Sequence, residues 1–141
     1  MTVVTYLPDV NLLFAAHRGA HERHLDAIAW LRAVDSFATC PTTEKGLLRL
    51  LSNPIANPGV SMAMAFEALI RVRARRQHVF WADDSSLAAA VIDTSVLTGS
   101  TQVTDVHLVN LAASKAGILV TFDTRITAAL AARDQCHVKV L

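Results

Sequence analysis

The chain is poor in cysteine, in long apolar runs and in signals for export, and each shortage narrows what it can be. Only Cys40 and Cys136 occur among 141 residues, without the CxxC or Cys/His spacing of a zinc site. We expect both to be small buried side chains in a reducing cytoplasm. No apolar run approaches the roughly 18 residues of a membrane span. The N-terminus, MTVVTYLPD, lacks a secretory pattern, so we expect a soluble cytoplasmic protein.

Net charge is also small. Thirteen Lys and Arg face 12 Asp and Glu, which gives +1, while 52% hydrophobic and 18% charged residues exclude a disordered chain. A protein that binds nucleic acid by bulk charge is usually more basic. Acids gathered in one pocket and neutralised by a metal would nevertheless leave a basic surface. The charge balance therefore neither supports nor excludes an RNA partner.

What the sequence does contain is an alternation of apolar strands and helical patterns. No repeat or linker divides it, which predicts a single domain over 1–141. The predicted strands are 3–7, 36–40, 118–122 and 137–141, and they read as apolar runs, which is typical of parallel strands buried on both faces. The predicted helices are 10–17, 22–34, 42–51, 61–76, 85–92, 102–116 and 124–132. Together they predict an α/β fold, a three-layer α/β/α sandwich with a central, mainly parallel sheet.

Two helix ends carry local signals. Ser61 follows the NPIANPG stretch and is a good cap for the helix after it. Lys115 lies in a last turn before Gly117, a residue type favoured just beyond a helix end.

Acidic residues follow the predicted strands. Asp9 comes after the first strand, Glu44 shortly after the second, and Asp123 directly after ILVTF, while Asp105 lies in the first turn of helix 102–116. In a parallel sheet the strand ends and helix starts share one edge, so the four carboxylates can converge. Any one of them is also explained by the preference for acids in a first helical turn. Four at one edge would repel one another unless a cation neutralised them.

An all-oxygen set without His or Cys suits Mg²⁺ or Mn²⁺. Such an ion lowers the pKa of a bound water and stabilises charge on phosphoryl oxygens, as phosphodiester hydrolysis requires. Asn11 and Thr121 add neutral polar atoms beside the acids and could orient a carboxylate. Ordinary turn and strand roles explain these two residues equally well.

Four motifs in order resemble the PIN-domain ribonucleases, and closely the VapC toxins of prokaryotic toxin–antitoxin modules. They are LPDVNLL, FATCPTTEKGLLRLLSNP, VTDVHLVNLAASKAG and LVTFDTRI, and the resemblance spans nearly the whole chain. It implies an Mg²⁺- or Mn²⁺-dependent endoribonuclease in which Asp9, Asp105 and Asp123 bind metal. Glu44 matches a further catalytic acid that, with Asp123, supports a metal or positions water, and Thr121 and Asn11 match supporting residues.

The same resemblance implies partners. Similar proteins form homodimers and are silenced by an antitoxin segment laid across the active site. One departure is TRITAALAA after Asp123, which lacks the aromatic that many PIN domains place there, and so leaves RNA contacts in this stretch open.

Basic and aromatic residues offer RNA contacts beside plainer roles. The densest basic run, RVRARRQH, and the helix of Glu44 provide the candidate phosphate contacts Arg49, Arg71, Arg73, Arg75 and Arg76. Cations also favour a helix C-terminus without any ligand. A histidine base in 15–24 is conceivable but unneeded. Trp30 fits an apolar helical stripe, and Trp81 fits either a core or a base-stacking role.

Two other functions compete with a nuclease. A receiver-type signalling module also keeps acids and Mg²⁺ at strand ends, but it carries paired acids after the first strand and a late lysine. Here Asn11 replaces the second acid and ILVTFDTRI holds no lysine. The other alternative is a PIN scaffold that binds RNA or a partner without cutting it, because an acid set indicates capacity rather than turnover.

Overall fold

In the computed structural model, residues 3–141 are described, and five short strands within them form one sheet. The strands are β1 (Tyr6–Pro8), β2 (Phe37–Thr39), β3 (His78–Phe80), β4 (Ile118–Thr121) and β5 (Val138–Val140). Their order across the sheet is β3-β2-β1-β4-β5, and every neighbouring pair is parallel. The predicted parallel sheet is confirmed. All five carboxyl ends therefore meet at one edge, with β1 in the centre.

Six α-helices in the described chain cover the two faces of the sheet. They are α1 (Val10–His17), α2 (His24–Ala33), α3 (Pro41–Leu51), α4 (Met62–Ala74), α5 (Val103–Ser114) and α6 (Thr124–Ala128). One buried core joins the sheet to α1–α4, and a second joins it to α5, α6 and the segment that includes Trp81 and Ile92. The architecture is the predicted three-layer α/β/α sandwich.

Alternation along the strands supplies both cores. In β2, Phe37 packs into the α1–α4 core while its neighbour Ala38 packs into the α5 core, and both are fully buried. Successive strand side chains point to opposite faces, so each buried strand feeds two layers. This is why the strands read as continuous apolar runs in the sequence.

Two predictions for the middle of the chain are wrong. The region predicted as helix 85–92 contains only a 3₁₀ turn at Leu87–Ala89, whose start is capped by Ser86. Further along, the Val91 N–H donates to the Asn110 side chain at 2.9 Å rather than to a helical carbonyl. In addition, β3 was not predicted. It is an edge strand of three residues with exposed Val79 and Phe80, so it lacks the apolar run that marks the other strands.

The helix-end predictions divide. Ser61 caps α4 by accepting the Met64 N–H at 3.2 Å, as predicted. At the end of α5 the left-handed position falls on Ala116, with φ of 54°, and not on Gly117. Gly117 is needed for space, because a Cβ there would lie 2.5 Å from the Thr5 carbonyl oxygen and 2.5 Å from the Trp81 ring.

The cysteine prediction is half right. Cys40 is fully buried, but Cys136 is exposed in the 3₁₀ segment Ala132–His137. The alternatives for Trp81 are resolved in favour of the core, since only 9% of it is accessible. Trp30 is partly buried and packs edge-on against Tyr6. Among residues 3–141, no helix is long and apolar enough to cross a membrane.

Candidate active site

Asp9 lies at the centre of the carboxyl edge, between β1 and α1. Its backbone N–H continues the sheet by donating to the Val120 carbonyl at 2.9 Å. Its Oδ1 caps α1 by accepting the Leu12 N–H at 2.8 Å, and its Oδ2 accepts the Thr121 hydroxyl at 2.5 Å. Asp9 therefore does cap the helix. These two hydrogen bonds use only part of its capacity to accept, because an ionised carboxylate offers about four lone-pair sites.

Thr121 connects Asp9 to the end of β4. While its hydroxyl donates to Asp9, the same oxygen accepts the Asp123 N–H at 2.9 Å. The side chain is fully buried. This hydroxyl thereby fixes the Asp9 carboxylate relative to the backbone of Asp123. The predicted supporting role of Thr121 in the site stays a prediction.

Burial raises the pKa of the Asp9 carboxyl from 3.8 to about 6, although the hydrogen bonds from Thr121 and Leu12 act to lower it. The charges of Asp105 and Asp123 add to the rise. A carboxylate with this environment is costly to ionise, since water is excluded and its neighbours are negative. Positive charge brought to this position would remove the cost.

Asp105 and Asp123 face each other across the same edge. Asp105 lies in the first turn of α5, and burial and the charge of Asp123 raise its pKa, while Arg125 opposes the rise. Asp123 caps α6 and holds Arg125 by paired contacts of 2.9 and 3.0 Å, which lower the pKa of Asp123. The Arg125 side chain is 87% exposed, so solvent screens this pair.

These two aspartates line a cavity of about 160 Å³. Its walls come from the 3₁₀ turn before α5, from α5 itself and from α6, and they comprise Thr101, Gln102, Asp105, Val106, Asp123, Arg125, Ile126 and Ala129. The buried Oε1 of Gln102 has no hydrogen-bond partner within the described chain. The cavity is therefore a polar recess that opens beside the aspartates.

Glu44 takes a different set of partners. Its Oε2 accepts the Thr39 hydroxyl at 2.7 Å and Arg73 Nη1 at 2.7 Å. His78 Nε2 lies 2.7 Å from the same Thr39 oxygen and must donate to it, because the hydroxyl proton goes to Glu44. Burial, followed by the charge of Arg73, lowers the pKa of His78. The structure thus couples Asp9, Asp105 and Asp123 through their charges, and satisfies Glu44 separately with an arginine.

Within residues 3–141, no three His, Cys, Asp or Glu side chains lie close enough together to form a ready-made group of metal ligands. In the three aspartates that we call the aspartate cluster (Asp9, Asp105 and Asp123), the charges of Asp105 and Asp123 nevertheless help to raise the pKa of Asp9, and the charge of Asp123 helps to raise that of Asp105. Mg²⁺ needs only one or two protein carboxylates, because it keeps several waters. The donor set of the cluster therefore suits a hydrated hard cation.

The remaining predicted residues are not among those that line the recess beside the cluster. Arg71 and Arg75 lie beside His17 at the C-terminal end of α1, and Arg76 lies beside Arg32 near the start of β2, at the opposite edge of the sheet. Asn11 is exposed in the first turn of α1. Arg49 is exposed on α3, and Arg71 and Arg76 are exposed at the end of α4, which Arg75 terminates. Their predicted roles stay predictions.

Sequence reasoning missed a further acidic residue that follows a strand, Asp83. It follows β3 as the other acids follow their strands, and it contacts Thr42 and His107. The signal was its place after a strand. That signal was invisible because β3 itself was not predicted.

A parallel sheet between helical layers, with aspartates at the carboxyl end of its central strands, is consistent with the PIN-like class of α/β folds. No protein-family model matches the chain. Individual proteins do match it over nearly their whole length.

Three such relatives come from Mycobacterium tuberculosis. Ribonuclease VapC38 is 37% identical over 138 residues, covering 96% of this chain and 96% of that protein. Ribonuclease VapC29 is 38% identical over 122 residues, 86% of this chain and 87% of the relative. Ribonuclease VapC44 is 38% identical over 123 residues, 85% and 87% of the two chains. The chain belongs to the VapC family of ribonucleases.

Proposed function

We propose that the protein is a metal-dependent endoribonuclease and acts as the toxin of a toxin–antitoxin pair, hydrolysing RNA phosphodiester bonds with a metal-activated water. The observation that carries this proposal is the aspartate cluster: three carboxylates at one sheet edge, two of them with raised pKa and each coupled to another by charge. The names of the relatives, which are ribonucleases, support the same conclusion.

The cluster fits Mg²⁺ or Mn²⁺. Asp9, Asp105 and Asp123 would hold the ion through carboxylate oxygens, and positive charge there would offset the burial and the repulsion that raise the pKa of Asp9 and Asp105. When bound, the ion supplies an activated water and stabilises charge on the phosphoryl oxygens. Every other part of the reaction falls to the chain's own residues.

Those residues position the reactants. Thr121 holds the Asp9 carboxylate by its hydroxyl, and its contact with the Asp123 N–H fixes the two acids relative to each other. The recess beside Asp105 and Asp123 provides room for the scissile phosphate and its attacking water. Arg125 is exposed, lies at the mouth of that recess and can exchange Asp123 for a phosphate oxygen.

Glu44 and Arg73 lie on the β2–β3 side of the carboxyl edge. Arg73 already binds a carboxylate and lies over the Phe80 ring at 4.7 Å, so it is a cation ordered at the rim. An ordered cation there suits an RNA backbone that approaches an acidic centre. Arg71 and Arg75 lie away from this rim, beside His17 at the end of α1, and Arg76 lies beside Arg32 in front of β2. In this role Glu44 acts through Arg73.

We further propose a cognate antitoxin as the protein partner, a homodimer as the assembly and the cytoplasm as the location. RNA and antitoxin follow from the kinship with VapC ribonucleases. A small reading frame just upstream of the gene would be the expected source of the antitoxin, and its absence would count against the toxin role while leaving the chemistry in place.

The direct test is incubation of the purified protein with total cellular RNA in Mg²⁺, in Mn²⁺ and in chelator. The parent should release discrete fragments with either metal and none with chelator. Asp9→Asn and Asp105→Asn keep the shape of each side chain but remove its charge. Because metal stabilisation of the transition state amounts to several kcal/mol, each variant should lose at least about a hundredfold in rate.

A matched control is Asp26→Asn, an exposed aspartate in the first turn of α2 that pairs with Arg23. It should cleave at the parental rate. Equal cleavage by the parent and both cluster variants would refute the nuclease mechanism. RNA binding without cleavage in any metal would favour the non-cutting scaffold.

A further inference from the structure

Asp83 bridges two helices on opposite faces of the sheet. It lies in the segment after β3, where its Oδ2 accepts the Thr42 hydroxyl at 2.6 Å and its Oδ1 contacts His107 Nε2 at 2.5 Å. Thr42 belongs to α3 and His107 to α5. The side chains of Asp83 and His107 are only 20% and 22% exposed, so the contact is largely shielded from solvent.

Both anchors of this bridge stand next to candidate catalytic acids. Thr42 is two residues before Glu44 in the first turn of α3, and His107 is two residues after Asp105 near the start of α5. A helix is stiff over two residues, so fixing Thr42 and His107 fixes the backbone that carries Glu44 and Asp105.

The start of α5 packs into the core through Val106 but has few polar contacts that orient it. Its N-cap residue, Gln102, makes no side-chain cap, and a 3₁₀ turn precedes it. Its two later links to the segment after β3 lie further along the helix, at Asn110 with the Val91 N–H and at Lys115 with Asp84. The Asp83–His107 contact is the one among these three that lies beside Asp105.

The contact is also electrostatically favourable. Burial tends to raise the pKa of Asp83, but the hydrogen bonds from Thr42 and His107 outweigh it and hold that pKa below its usual value. Asp83 is therefore an ionised carboxylate with both oxygens engaged. An acid used in this way orients its partners.

We propose that Asp83 is a positioning residue of the nuclease: its bridge between Thr42 and His107 sets the placement of Asp105 relative to Glu44 across the carboxyl edge. This inference rests on the proposed function. Groups that orient metal ligands by hydrogen bonds typically contribute about 10- to 100-fold to metal affinity or activity.

The test compares Asp83→Asn with Asp84→Asn. Asp84 is the adjacent residue and links the same segment to the same helix, but at Lys115, beyond the far end of α5. For each purified full chain we would measure Mn²⁺ affinity by calorimetry without RNA, kcat and KM for a fluorogenic RNA, and the unfolding temperature. Asp83→Asn should weaken Mn²⁺ binding and lower kcat by about tenfold with KM nearly unchanged. Asp84→Asn should match the parent in all three kinetic and binding values.

A second pair of variants keeps the test informative if Asp83→Asn does not fold. Thr42→Val removes the hydroxyl that Asp83 accepts while keeping the shape, and Thr42→Ser retains the hydroxyl. The valine variant should reproduce part of the loss in Mn²⁺ affinity and kcat, and the serine variant should restore it. If Thr42 contributes to stability alone, Thr42→Val should lower the unfolding temperature but leave Mn²⁺ affinity and kcat unchanged.

The inference is overturned if Asp83→Asn, or Thr42→Val in its place, binds Mn²⁺ and turns over within twofold of a parent that itself cleaves RNA. That result leaves the proposed function standing. A parent that neither binds Mn²⁺ nor cleaves RNA overturns the proposed function and this inference with it.

Discussion

The carboxyl edge of the sheet treats its acids in two opposite ways. On the β1–β4 side, the aspartate cluster gathers three carboxylates. Burial, aided by the charge of neighbouring acids, raises the pKa of Asp9 and Asp105, while the exposed Arg125 lowers the pKa of Asp123. On the β2–β3 side, Glu44 and Asp83, which we call the bridged acids, each have a hydroxyl and a cationic or imidazole partner at 2.5–2.7 Å.

The difference separates acids whose interactions are completed within the chain from acids that remain available to bind a cation. The bridged acids have their interactions made within the chain, so they stabilise the fold and position their neighbours. At Asp9 and Asp105 the cluster carries a cost of ionisation that contacts within the chain do not fully offset. A fold that keeps unrelieved charge at the end of its central strands is suited to an external cation, and the predictions below test that contrast.

The largest expected effect is on stability at Asp9. Its pKa in the folded protein is about 6 against an ordinary 3.8. The folded state therefore binds more protons than the unfolded state between these values, and stability falls as pH rises through that window and then levels off. In metal-free protein at neutral pH, Asp9→Asn should raise the free energy of unfolding by up to about 3 kcal/mol.

Urea denaturation of parent and Asp9→Asn in chelator, near pH 4 and at neutral pH, measures this. The advantage of the variant should shrink as the pH falls, because Asp9 then becomes protonated in the folded parent. An Asp9→Asn variant that is less stable than the parent at neutral pH would show that the ionised Asp9 carboxylate does not destabilise the folded protein.

The opposite sign is expected for a bridged acid. Glu44→Gln keeps the shape but weakens the contacts from Arg73 and Thr39, and hydrogen bonds to charged groups contribute about 1.5–3 kcal/mol. We expect the free energy of unfolding in chelator to fall by about 1 kcal/mol, the lower figure reflecting the partial exposure of Arg73. If Glu44→Gln instead raises the free energy of unfolding, Glu44 behaves like the acids of the aspartate cluster, and the two groups of acids do not differ.

Gly46 tests the junction between the two sides. A Cβ there would lie 2.5 Å from Val10 Cγ2, and Val10 is the residue after Asp9. Overpacking costs about 1–3 kcal/mol, partly offset by the roughly 1 kcal/mol helix preference of alanine. Gly46→Ala should therefore destabilise by about 1 kcal/mol in thermal unfolding and reduce kcat. An unchanged kcat would mean that the spacing of α1 and α3 does not affect the site.

The smallest effect is expected at Arg125. Its side chain is 87% exposed, so its loss should leave the unfolding temperature nearly unchanged. Without this cation, Asp123 is free for a metal, and Arg125→Ala should bind Mn²⁺ slightly more tightly in calorimetry. Weaker binding by the variant would show that Arg125 organises the cluster rather than competes with a metal.

The aspartate cluster could be found from the sequence because each member follows a strong local signal. Asp9 and Asp123 follow apolar runs that form β1 and β4, and Asp105 opens a long helix. The bounds of α1 were predicted correctly at 10–17 for the same reason.

Among the bridged acids, Glu44 was also predicted from its position after β2, but its partners and the residue Asp83 could not be predicted in this way. Glu44 meets Arg73 from another helix, 29 residues away, and no local pattern encodes such a pairing. Asp83 follows a three-residue edge strand with two exposed side chains, and the segment after it was wrongly predicted as helix. Short, half-exposed elements are defined by their tertiary partners, and those partners are absent from a local window.

The most direct test of the account is calorimetric titration of Mn²⁺ into RNA-free protein at neutral pH, for the parent, Asp9→Asn, Asp105→Asn and Glu44→Gln. The account predicts saturable binding by the parent, loss of that binding in both aspartate variants, and retention within a few-fold in Glu44→Gln. Unchanged binding in Asp9→Asn and Asp105→Asn would contradict it.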